Sequence, residues 1–204
     1  MKRRSLVVVT AGLSQPSSTR LLADQLSAAA VATAGDAGIL LDTQVIELRD
    51  LAHDLMNHML TGFPSAALKA ALGAVAGADG VIAVSPIFTA SYSGLFKSFF
   101  DVLDREALVD RPVLIAATGG TARHSLALEH AMRPMFAYLR AVAVPTSVFA
   151  ASEDWGAGTA EGALRGRIER AAAELVREID RREPATVADP FALTSSFEDL
   201  LAGR

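Results

Sequence analysis

The sequence predicts a three-layer α/β sandwich, a five-stranded parallel sheet of order 2-1-3-4-5 with helices on both faces. Two observations carry this. Runs such as Leu6-Val7-Val8-Val9 and Val81-Ile82-Ala83-Val84 are apolar without alternation, which is how strands buried on both faces read. Between such runs lie stretches with apolar residues at helical spacing. Alternation of the two implies βαβ crossovers and a parallel sheet.

Taken in order, the first strand is the run at 6–9, and residues 17–34 form a helix with Leu22, Leu26 and Ala30 on one stripe and Gly35 as a stop. Residues 43–48 give a second strand, and residues 65–76 a helix that opens on Ser65 and closes at Gly77. The third strand is 81–84, followed by a long loop and a helix over 95–103. The fourth strand is 112–117, followed by a helix over 126–140. The fifth strand is 142–149, and an amphipathic helix covers 161–180. Five strands at this spacing fit the flavodoxin-like order, in which ligands sit at the carboxyl ends beside strands 1 and 3. Residues 1–182 therefore read as one domain, and 183–204, polar and proline-bearing, as a tail or subunit arm.

Composition narrows the function. The chain has 204 residues, 51% apolar and 21% charged, with a net charge of −4. No basic stripe tracks a nucleic-acid backbone. With no cysteine, disulfides, thiolate metal sites and a thiol nucleophile are excluded, so redox chemistry must come from a bound cofactor. The basic start, Met1-Lys2-Arg3-Arg4, precedes an apolar run too short for a leader or a membrane span. A cytoplasmic protein without membrane attachment is expected.

Three loops carry the chemistry. The first, AGLSQPSSTR over residues 11–20, places Ser14, Ser17, Ser18 and Thr19 with Arg20 between a buried strand and a helix start. Hydroxyls, free first-turn amides and the helix dipole together make an anion site. Capping the helix needs only one such hydroxyl. The loop lacks both GxGxxG and GxxxxGK[ST], so it suits a terminal monophosphate rather than a pyrophosphate or a triphosphate. The second loop follows Ser85 and brings Pro86, Ile87 and Phe88, with small polar residues behind them. The third is Thr118-Gly119-Gly120-Thr121, where paired glycines remove the Cβ atoms that would block a ligand. All three loops open on one crevice. No carboxylates end strands 1 and 3, which argues against a phospho-acceptor switch.

These segments, SSTRLLA, SPIFTASYSGLFKSFFDVLDREAL and ATGGTARHSLALEHAMRP, resemble the NAD(P)H-dependent FMN reductases. They are most similar to the subgroup that supplies reduced flavin to luciferase-like or alkanesulfonate-type two-component monooxygenases. The likeness spans roughly residues 6–155. It implies that Ser14, Ser17, Ser18 and Thr19, with Arg20, hold the flavin phosphate, and that Pro86, Ile87, Phe88, Thr118, Gly119, Gly120 and Thr121 border the ring and ribityl chain. It departs at Gln15 and Pro16, where many members carry an arginine. It also implies NAD(P)H as co-substrate and a homodimer or homotetramer formed through the helix over 95–103, whose Phe96, Phe99 and Phe100 are more bulk than one buried stripe needs, with an all-core reading of them equally open.

Hydride transfer from nicotinamide to flavin needs stacking rather than a side-chain acid or nucleophile. No residue is therefore singled out as catalytic, and the four histidines show no metal-binding spacing. Arg123 and His124 could meet the nicotinamide nucleotide or stay in solvent. Trp155 lies past the fifth strand, where packing on a loop or subunit competes with a place in the crevice. Two other readings remain open: an FMN-bound quinone or azo reductase, and a flavin electron carrier.

Overall fold

A computed structural model describes residues 1–156 and 159–185. Of the anticipated tail only 183–185 fall within the described residues; there the Ala185 amide donates to Asp79 at 2.7 Å. Residues 186–204 lie outside them.

The sheet is flavodoxin-like, and its strands run longer than the apolar runs that announce them. β1 (Lys2–Thr10) lies between β2 (Ile39–Glu47) and β3 (Gly80–Phe88), and β5 (Pro112–Gly119) follows β3, all in parallel. The sheet has seven strands rather than five. One addition is β4 (Ser91–Tyr92), which folds back antiparallel on Ile87 and Phe88. The other arises because the anticipated fifth strand is two pieces, β6 (Val142–Ala143) and β7 (Val148–Ala151), each paired with β5. Pro145 sits between them and has no amide to give to a ladder.

Alternate strand residues feed two cores. Val7 and Val9 face one layer, with Leu55, Leu68, Val75 and Phe136. These come from α2 (Ala52–Thr61), α3 (Ala66–Ala76) and α5 (Arg133–Tyr138). Leu6 and Val8 face the other, with Leu22 and Leu26 from α1 (Ser18–Asp36) and Ile168 and Leu175 from α6 (Thr159–Asp180). The start signals act as anticipated: Ser17 caps α1 by accepting from the Arg20 amide, and Ser65 caps α3 by accepting from Leu68. The helix after β5 is not continuous, since a π-helical turn, Leu128–Met132, precedes α5. Pro134 lies just past it and supplies no amide to a regular ladder.

In helix α4 (Gly94–Asp101) the all-core reading of the phenylalanines holds. Phe96, Phe99 and Phe100 are all buried inside the chain, where Phe96 and Phe100 meet Phe136 at ring distances of 6.4 and 5.0 Å. They are core, not a surface offered to another subunit. Among the described residues no single helix is long and apolar enough to cross a membrane.

Candidate functional site

Register decides where the loops go. Thr10 pairs with Val84, and Pro86 pairs with Thr118. The chain therefore leaves β1, β3 and β5 on one edge, at the point where strand order reverses. The three loops close on a crevice of about 430 Å³, within the roughly 300–1,000 Å³ of small-molecule sites.

Of the first loop, Ser14, Ser17, Ser18 and Thr19 line the crevice. The first turn of α1 opens there, and its amides have no partner within the helix. Gly12, which the sequence reading passed over, shapes this end. A Cβ on it would lie 2.1 Å from the Ser17 hydroxyl, so only glycine leaves that hydroxyl in its capping position. The only cue was a glycine directly after an apolar strand.

Arg20 is not part of the crevice. Its guanidinium donates to Asp24 at 2.8 Å and pairs with Glu47 as well. Its pKa is raised, chiefly by the hydrogen bond to Asp24 and then by the charges of Asp24 and Glu47, against the opposing cost of burial. None of the described residues that line the crevice is charged. The attraction for an anion therefore rests on hydroxyls, amides and the helix dipole.

The second loop contributes Pro86, Ile87 and Phe88. Buried Ser85 fixes it, donating to the Pro86 carbonyl at 2.8 Å and accepting from the Ser93 amide at 2.9 Å. Beyond Phe88 the chain turns through Thr89 and Ala90, both at positive φ, +48° and +67°. That is the geometry of a two-residue hairpin turn, which favours Asn and Gly over the residues present. The turn holds the Phe88 ring at the crevice with 48% of its surface exposed.

The third loop contributes Thr118, Gly119 and Gly120. Thr118 is buried and its hydroxyl bonds that of Thr19 at 2.8 Å, which ties the first loop to the third. A Cβ on Gly119 would lie 2.8 Å from Phe149, so the glycine is needed there. Thr121 and Arg123 are exposed and do not line the crevice, and neither does His124. Ser152 and Trp155, from the 3-10 turn Ser152–Trp155 after β7, complete the wall with Leu13. Trp155 also packs on the core layer beneath α1 and α6.

The residues fit a flavin mononucleotide in kind: hydroxyls and amides for a monophosphate, a half-exposed aromatic and small residues for a flat ring. No group of three or more metal-ligating side chains occurs among the described residues.

Comparison with known proteins agrees with this fit. A family model for the NADPH-dependent FMN reductases matches residues 5–156. An FMN reductase (NADPH) of Pseudomonas aeruginosa is 39% identical over 150 residues, covering 74% of this chain and 78% of the relative. The NADH-dependent FMN reductase SfnE of Pseudomonas putida is 34% identical over 173 residues, covering 84% and 90%. The crystal structure of an oxidoreductase from Corynebacterium diphtheriae matches with a TM-score of 0.87 at 47% identity, over 90% of this chain and all of that one.

Proposed function

The chain belongs to the NADPH-dependent FMN reductase family, and on that premise we propose that its three-loop crevice holds FMN for reduction by NADH or NADPH. The observation that carries this is the convergence of the loops after β1, β3 and β5 on one uncharged cavity, locked by the Thr19–Thr118 hydrogen bond. When bound, FMN accepts hydride from the nicotinamide, chemistry intrinsic to the two cofactors. The chain's part is to position. Ser14, Ser17, Ser18 and Thr19 take the phosphate. Phe88 and Pro86 border the ring, and backbone amides near Phe88 and Gly119 meet its polar edge. Arg20 and Thr121 leave the proposed set, since neither reaches the cavity.

We place the reduced flavin as a product handed to a two-component monooxygenase in the cytoplasm. Motif likeness to that subgroup supports this, as does a phosphate site with no cation among the described residues that line it, which favours exchange over permanent retention. Residues 1–182 form the flavin domain in this reading. A homodimer or homotetramer remains part of it, but the subunit surface moves: Met56, Met59, Leu60 and Phe63, at the end of α2 and beyond, are exposed, whereas the α4 phenylalanines are not. The test is NADH and NADPH oxidation in air with added FMN. Turnover that requires and saturates with free FMN supports a flavin supplier. FMN that co-purifies stoichiometrically and does not exchange on dilution contradicts it.

A further inference from the structure

Arg20 is the basic side chain nearest in sequence to the phosphate end, yet two carboxylates turn it away. It follows Ser17 by three residues, so the two share a face of α1 with Cβ atoms about 5–6 Å apart. A helical side chain also leans back over the turn before its own. Ser17 and Ser18 line the crevice, so a guanidinium on this stem is within a swing of the anion site. Instead it donates to Asp24 at 2.8 Å and pairs with Glu47. The sheet places Glu47 for this. It ends β2, in register with Thr10 at the end of β1, which sets its carboxylate at the carboxyl edge beside the start of α1.

We infer that Asp24 and Glu47 are positioning residues that hold Arg20 off the flavin phosphate, and that this restraint keeps FMN exchangeable; the inference rests on the flavin reading above. The hold is more than a loose surface pair. Only 28% of the Glu47 side chain is exposed. A departing Arg20 would leave that carboxylate with Arg49 as its remaining cation among the described residues, its Nε 3.8 Å away. Asp24 grips the same guanidinium from within α1, and Asp50 in turn pairs with Arg49. Such a network holds its geometry where an isolated exposed pair does not. With Arg20 so engaged, hydroxyls, amides and the helix dipole are left to attract the anion. A charge-assisted contact from Arg20 to a phosphate would tighten binding by about tenfold or more. Withholding it suits a flavin that must leave after reduction.

Asp24→Asn with Glu47→Gln removes both charges, keeps the shapes of the side chains and leaves the core untouched. Dissociation constants for FMN and riboflavin are measured by calorimetry near 0.15 M salt, where charges beyond about 8 Å are largely screened. FMN release is timed after dilution. The inference predicts an FMN constant tightened about tenfold or more in the double variant, release slowed in step, and a riboflavin constant within about twofold of wild type. Adding Arg20→Gln to the double variant should abolish the gain, and Arg20→Gln alone should leave the FMN constant within about threefold of wild type. An unchanged FMN constant in the double variant overturns the inference, as does an equal gain for riboflavin. A gain that survives Arg20→Gln also overturns it, since relief of repulsion then accounts for the effect. So does a loss of about tenfold from Arg20→Gln alone, since Arg20 then already serves the phosphate. Failure of the wild-type protein to bind either flavin overturns the underlying flavin reading instead, and the inference falls with it.

Discussion

Replacing Gly12 by alanine tests how tightly the phosphate end is built. The new Cβ would lie 2.1 Å from the Ser17 hydroxyl, 3.1 Å from the Ser17 Cβ and 3.2 Å from the Thr19 Cβ. The first contact is impossible, so the hydroxyl must rotate away and give up the Arg20 amide it accepts at 3.2 Å. Losing an N-cap costs about 1 kcal/mol. Glycine-to-alanine exchange returns about 0.4–1 kcal/mol by restricting the unfolded chain, so the net loss in the single variant is small and undiagnostic. A double-mutant cycle with Ser17→Ala removes that ambiguity, because the unfolded-state gain and the two carbon contacts are the same in both backgrounds. Only the cap differs. The Gly12 change should therefore cost about 1 kcal/mol less when Ser17 is already alanine, read as urea-unfolding midpoints at constant slope. Additivity within about 0.3 kcal/mol refutes the account of why glycine stands at position 12.

Other consequences follow from the same contacts. Thr19→Val or Thr118→Val alone strands a buried hydroxyl and should cost about 1–3 kcal/mol, whereas the double variant should cost less than the sum, measured by thermal or urea unfolding. Thr89→Asn with Ala90→Gly suits the positive φ at both positions and should stabilise the fold by about 1–2 kcal/mol. The Glu129 carboxyl is held below its usual range first by the Arg133 hydrogen bond and then, against the cost of burial, by the Ser147 hydroxyl. A depressed pKa contributes stability above the unfolded value, about 4.3, that fades as pH falls through the folded one. Glu129→Gln should therefore lower stability near neutral pH by less than about 1 kcal/mol, and the deficit should vanish below the carboxylate range in an acid unfolding series.

Much of this was legible in the sequence because burial on both faces writes itself as unbroken apolar runs. The parallel strands, the serine caps of α1 and α3, and the three loops could be placed from that signal. The rest left weaker traces. Helix α2 is preceded at its N-cap by Leu51, which makes no side-chain cap, so nothing marks its start. β4 is two residues long, too short for a period, and exists because Ile87 and Phe88 offer it an edge. Phe96, Phe99 and Phe100 looked like more bulk than one helix face can bury; Phe136, across a π-helical turn invisible to a periodicity reading, provides the missing partner. At the site, residue type could not show that Arg20 turns to Asp24 and Glu47, since that depends on how β2 ends beside α1.

The central claim is that FMN enters this crevice with its phosphate on the first turn of α1. Ser18→Asp tests it most directly, through NADH and NADPH oxidation with FMN or with riboflavin as acceptor. A carboxylate at the first position of a helix suits its dipole, so the variant should fold at least as stably as wild type. The account predicts that wild-type oxidation requires added FMN, and that the variant raises the FMN KM about tenfold or more by charge repulsion while leaving riboflavin nearly unaffected. Equal FMN constants in the two proteins would place the phosphate elsewhere and contradict the account.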